Sequence, residues 1–169
     1  MTPQEAGAAL FVPITGGLVI GNILAGWLGD RFGRGRPKYY AQLAAIGLVG
    51  AFPLGIAMAQ AHSASASLAF FFFYHILLTM HLAQMQALAF AQVGAAQRAM
   101  LGAFLNMIIT LCGVGIGTWA VGALSTYFAA RYGDLSLRYA MTAVCFMIPL
   151  GAVCAMMAGR AAHPLVDNA

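Results

Sequence analysis

Charge is what this chain has least of. Only 7% of its 169 side chains carry it, eight Lys or Arg and four Asp or Glu, against about 25% in an ordinary soluble domain. With 62% of residues apolar and a mean hydropathy of +0.85, too little polar surface is left to cover a water-soluble core, which excludes a soluble fold. None of the four acids lies inside an apolar run. The carboxylate pairs of acid–base chemistry are therefore missing, and no nucleophile sits beside a base, so an enzyme is not expected. Cysteine is equally sparse. Cys112, Cys145 and Cys154 all fall in apolar stretches without metal-ligand spacing, and are read as filler rather than as ligands or disulfides. The net charge of +4 comes with no basic helix face and no interleaved aromatics, so no nucleic-acid partner is expected. Strict in/out alternation is absent, which argues against a β-barrel. Met1 to Ala6 lacks a basic region, and the first apolar run is too long for a signal peptide.

What the chain does have is long apolar runs. Five can be drawn, at about 8–29, 39–60, 68–93, 98–126 and 138–159, each near the roughly 20 residues that cross 30 Å of hydrocarbon. Hydrocarbon leaves backbone groups unsatisfied unless they pair within the segment, so each run is expected as a helix. The expected fold is an all-α, polytopic membrane protein: a single membrane domain over 1–169, with five transmembrane helices and the lipid bilayer as its first partner. Thr2-Pro3-Gln4-Glu5 reads as a capping box for the first helix. HSASAS at 62–67 reads as a polar turn, and AAHPLVDNA as a frayed tail. Pro53 and Pro149 should kink the second and fifth spans, which have few polar groups and read as peripheral supports facing lipid. Lys and Arg divide unevenly among the breaks. Arg31, Arg34, Arg36, Lys38, Arg98 and Arg160 fall on one side, and only Arg131 and Arg138 on the other. The bias predicts a cytoplasmic C-terminus and an outside N-terminus, in a bacterial inner (plasma) membrane.

Five of the charges crowd into GWLGDRFGRGRPK, residues 26–38. A topological anchor would explain the bases but not the acid or the glycines. Asp30 sits at a helix C-terminus, where the dipole disfavours a carboxylate, and should seek Arg31, Arg34 or a neighbouring helix. Gly26 would admit a neighbouring helix and Gly33 a tight turn. The spacing of Gly26, Asp30, Arg31, Gly33 and Arg34, with Arg36 and Lys38 behind, resembles the signature loop of the major facilitator superfamily of secondary transporters. Gly35 and Pro37 interrupt the family's usual basic run. The segment RAMLGAFLNMIITLCGVGIGTWAVGALS (98–125), followed by GDLSLRYAM (133–141), resembles the end of spinster-like members. The resemblance implies that the five spans correspond to family helices eight to twelve, a partial major facilitator-type bundle. The seventh helix and the other bundle would then be the missing N-terminal transporter half, a role another copy of this chain could also fill. It further implies alternating-access transport of a small organic solute, amphipathic compounds among the candidates, with residues 26–38 as a gating latch. The alternative is a non-transporting membrane protein that assembles with or regulates a full-length partner.

Small and polar residues within the spans supply the remaining candidates. Gly17, Gly21, Ala25 and Gly29 form a small-residue seam; the packing partner that the resemblance implies for it lies in the missing half. Asn106, Thr110, Gly113 and Gly117 share a stripe, either a packing seam or a wall of a solute path. The glycine run at 113–117 lies mid-span with no strand before it, so it is not a nucleotide loop. The third span is the least apolar. At about 100° per residue, His75, Thr79 and Gln86 share one stripe, and Tyr74, His81 and Gln84 a nearly opposite one. Polar groups at membrane depth suggest a water-lined path, and the resemblance assigns this span to a cavity-lining helix. The two histidines point about 120° apart and no carboxylate joins them, so neither a metal nor a cofactor is expected.

Overall fold

The computed structural model describes residues 3–33 and 36–162, with side chains from Gly7 onward. Thr2 of the expected cap, Arg34 of the charged loop and the tail beyond Ala162 lie outside the described residues. Helices account for nearly everything described: α1 (Pro3–Leu28) closing in a π-helical turn (Gly29–Gly33), α2 (Pro37–Gln60), α3 (Ala64–Ala91), α4 (Ala95–Ile108), a π-helical stretch (Ile109–Ile116), α5 (Gly117–Tyr132), a 3₁₀ turn (Gly133–Leu135), α6 (Ser136–Cys145) and α7 (Met147–Ala161). Four helical stretches are long and apolar enough to cross a membrane: Gly7–Gly33, Pro37–Gln60, Ala64–Ala91 and Ala95–Ala161.

The surface fits hydrocarbon better than water. Met100, Trp119 and Tyr127 are 75%, 72% and 77% exposed. Outward-facing polar side chains turn back on their own helices: Asn22 donates to the Leu18 carbonyl at 2.9 Å, Thr118 to Val114 at 2.6 Å and Thr126 to Gly122 at 3.0 Å. Such bonds satisfy a hydroxyl or amide where no water is at hand.

Small side chains set the packing. Along α1 and its π turn, Pro13, Gly17, Gly21, Ala25, Gly29 and Gly33 are buried at four-residue intervals. The seam expected to await an absent partner is filled by α3 of the same chain. A Cβ on Gly17 would stand 3.0 Å from His75 Cβ, and one on Gly21 would stand 2.6 Å from the Ile76 carbonyl oxygen. Residue numbers rise together along this contact, so α1 and α3 are parallel. The expectation that the second span is peripheral fails outright. α2 packs on α3 through Gly47 and Gly55, and on α7 through Ala41, Leu48 and Gly159. Its Ala and Gly residues let two helices approach neighbouring faces at close range, which the absence of polar groups did not reveal.

Three boundaries differ from expectation. Only 61–63 remain a turn before α3, because Ser63 Oγ accepts the Ala66 amide at 3.3 Å and the alanines behind it favour helix. The fourth span runs on to Tyr132, and the reversal narrows to Gly133, whose φ of +52° and ψ of −125° suit glycine alone. Ser125 and Ser136 hydroxyls then lie 3.4 Å apart, where an unbroken helix would separate eleven residues by about 16 Å. Gly133→Val is expected to destabilise the protein by about 1–3 kcal/mol, read as a lowered thermal midpoint in detergent; an unchanged midpoint would show that the reversal does not depend on this backbone geometry. The expected kink at Pro149 lies at Phe146. The proline ring would clash with the carbonyl four residues back, at Cys145, where α6 ends. α2 passes through Pro53 without interruption.

α6 and α7 run antiparallel to α2, with Gln60 donating to Thr142 at 3.0 Å at one end and Ala41 touching Gly159 at the other. This order gathers Arg31, Arg36, Lys38, Arg98 and Arg160 at one end of the bundle. Arg131 and Arg138 flank the reversal at the opposite end. The stretch from Ala95 to Tyr132 has no buried residue.

Candidate functional site

The charged loop forms the elbow between α1 and α2. Gly29 and Gly33 present bare backbone to the Tyr40 ring, and a Cβ on Gly33 would sit 2.5 Å from its Cζ. Gly33 therefore serves the tight approach at the elbow. Gly26 faces open space with nothing within 4 Å, so no helix among the described residues uses the access it offers. Asp30 is exposed at the end of α1 and has no ion-pair partner among the described residues. The bases lean on aromatics instead. The Arg31 guanidinium lies 5.8 Å from the Trp27 ring, and Arg36 and Lys38 lie 5.8 Å and 5.7 Å from Tyr39. Arg36 Nη1 also donates to the Tyr39 hydroxyl at 3.3 Å.

α3, the polar span, runs between α1 and α2, and its polar residues separate onto three faces. His75 and Thr79 lie in the α1 seam, with His75 Nε2 buried and unpartnered. Tyr74 packs over Gly55 of α2, its Cε2 lying 3.2 Å from a Cβ built there. Gln84 fills the junction of α1, its π turn and α3. Its Nε2 donates to the Ala25 carbonyl at 2.7 Å, and its Oε1 is buried without a partner. The 100° projection had grouped Gln84 with Tyr74 and His81, and Gln86 with His75 and Thr79. Gln84 instead continues the buried row of Ile76, Met80 and Leu88, spaced four residues apart.

His81 and Gln86 line an open cleft of about 460 Å³ between α3, α4 and α7, with Leu105, Ile109, Gly151 and Cys154 also in its walls. His81 Nδ1 lies 3.3 Å from the Leu78 carbonyl oxygen. Gln86 Nε2 donates to Asn106 Oδ1 at 3.4 Å, linking α3 to α4. Thr110 is exposed, and a Cβ on Gly113 or Gly117 would meet no other helix among the described residues, so their stripe is not a packing seam there. Of the eight proposed path residues, His81, Gln86 and Asn106 come together; Tyr74, His75, Thr79, Gln84 and Thr110 lie elsewhere. No group of three His, Cys, Asp or Glu side chains converges among the described residues. No protein-family model, curated protein or solved structure matches the chain.

Proposed function

We propose that the chain is a five-span portion of a major facilitator-type, spinster-like secondary transporter, corresponding to family helices eight to twelve. The observation that carries this reading is the spacing of Gly26, Asp30, Arg31, Gly33 and Arg34 across the elbow between the first two helices. Reversal of the chain at Gly133 supports counting 95–132 and 136–161 as separate spans. The cleft bearing His81 and Gln86 supports α3 as part of the solute path. In this reading the whole transporter moves a small organic solute by alternating access, as one bundle rocks against the other around a central site. Asp30, with no ion-pair partner among the described residues, and the open Gly26 are the half of a latch that meets the other bundle. The basic end faces the cytoplasm.

Uptake assays test this directly. The chain reconstituted alone should give no saturable uptake from a solute screen, and co-expression with the seven preceding family spans should restore it. In the restored transporter, Asp30→Asn should lower uptake at least about tenfold while membrane abundance stays level. Saturable uptake by the isolated chain would overturn the reading. The alternative, a non-transporting protein that assembles with a full-length partner, draws support from the fully unburied 95–132 stretch. It predicts stable capture of that partner with its uptake altered and no independent uptake from the joined spans.

A further inference from the structure

Two adjoining cavities lie between α2 and α7 at the basic end of the bundle. The first, about 560 Å³, is lined by Arg36, Lys38, Gln42 and Arg160, with Gly159 and Ala41 among its walls. A Cβ on Gly159 would overlap the Ala41 methyl, so the two helices touch there backbone to side chain and give the cavity a fixed floor. Among the described residues no carboxylate lines it, and none of its three cations has an ion-pair partner. The second, about 980 Å³, continues from the first through Gln42, Met156 and Arg160. Ile46, Val49, Pro149, Val153 and Met157 make it an apolar trough on the outward face.

We propose that this is a binding site for an anionic phospholipid. The phosphate sits among Arg36, Lys38 and Arg160, with the Gln42 amide beside it, and an acyl chain lies along the trough between α2 and α7. Charge complementarity selects the headgroup, since basic pockets between membrane helices favour anionic lipids. The trough runs on from the cations, so one lipid can place its phosphate among them and its acyl chain along α2 and α7, which a free anion cannot do. Long Arg and Lys stems can lie on the apolar wall while their charged ends reach the phosphate.

The test is native mass spectrometry of the full chain from mixed micelles containing dioleoyl phosphatidylglycerol or dioleoyl phosphatidylcholine, with helicity checked by circular dichroism. The parent chain should retain phosphatidylglycerol in preference to phosphatidylcholine. Arg36→Gln, Lys38→Gln and Arg160→Gln should each weaken retention about fivefold, and Arg131→Gln/Arg138→Gln at the opposite end should not. Val153→Trp leaves the cations intact and fills the trough, and it should weaken retention at least as much. Equal retention of the two lipids would overturn the proposal, as would charge variants no weaker than the opposite-end control. Displacement of the lipid by millimolar inorganic phosphate, or full retention by Val153→Trp, would refute the role of the trough.

Discussion

Gly21→Leu should leave almost no folded, monodisperse protein after detergent extraction, whereas Gly26→Leu, five residues further along the same helix, should leave the yield unchanged. The contrast follows from what each position faces. A Cβ at Gly21 would stand 2.6 Å from the Ile76 carbonyl oxygen and 2.9 Å from Thr79 Cβ, and one at Gly26 would meet nothing within 4 Å. A backbone carbonyl inside a helix cannot swing aside as a side-chain tip can, so α1 would have to move off α3 along its whole seam. Even Gly21→Ala should lower stability by about 1–3 kcal/mol, the usual range for an overpacked contact. In a hydrocarbon solvent no hydrophobic effect presses these helices together, so loss of close packing removes the main attraction between them. Thermal denaturation of the three variants in one detergent checks the order. Equal midpoints for Gly21→Leu and Gly26→Leu would mean that α1 and α3 do not pack through this seam. Gly26→Leu has a second use: if the transporter reading is right, it should fold normally and still impair uptake.

The helices themselves were plain in the sequence because apolar length alone nearly decides them in a membrane. The seam at Gly17, Gly21, Ala25 and Gly29 was legible too, since four-residue spacing of small residues has few other uses. Two more of its members, Pro13 and Gly33, obey the same interval and could have been found by extending it. Its partner could not be found that way. Hydrophobic pattern separates a core face from a wet face in water, but in hydrocarbon both faces are apolar and the pattern falls silent. For the same reason α2 looked peripheral. Its buried side is distinguished only by Ala and Gly against Ile and Val, a difference of size and not of polarity. The convergence of Lys38 and Arg160 joins residues far apart in sequence and depends on the antiparallel docking of α7, which no local signal encodes. The break at Phe146 was within reach, because a proline acts on the carbonyl four residues before it.

Gln84 carries the second large expectation. Gln84→Glu should destabilise the bundle by about 3–5 kcal/mol, and Gln84→Leu should change it by no more than about 1 kcal/mol. The amide is 1% exposed, donates once to the Ala25 carbonyl at 2.7 Å, and leaves Oε1 buried with no donor among the described residues. A glutamate there would bring a charge into the junction with no cation to meet it and would set a carboxylate oxygen against the Ala25 carbonyl. The side chain escapes that charge only by taking up a proton, and protonating a carboxyl of ordinary pKa about 4.3 at pH 7 costs about 4 kcal/mol. Leucine gives up one hydrogen bond, worth about 1 kcal/mol net, but it also removes the unsatisfied oxygen, and the two changes oppose each other. The measurement is the thermal midpoint of each variant in the same micelle, with Gln86→Leu as a reference on the neighbouring face. A leucine variant as unstable as the glutamate one would show that polarity at this junction is itself required. That outcome would mean that Oε1 meets a donor from outside the described residues.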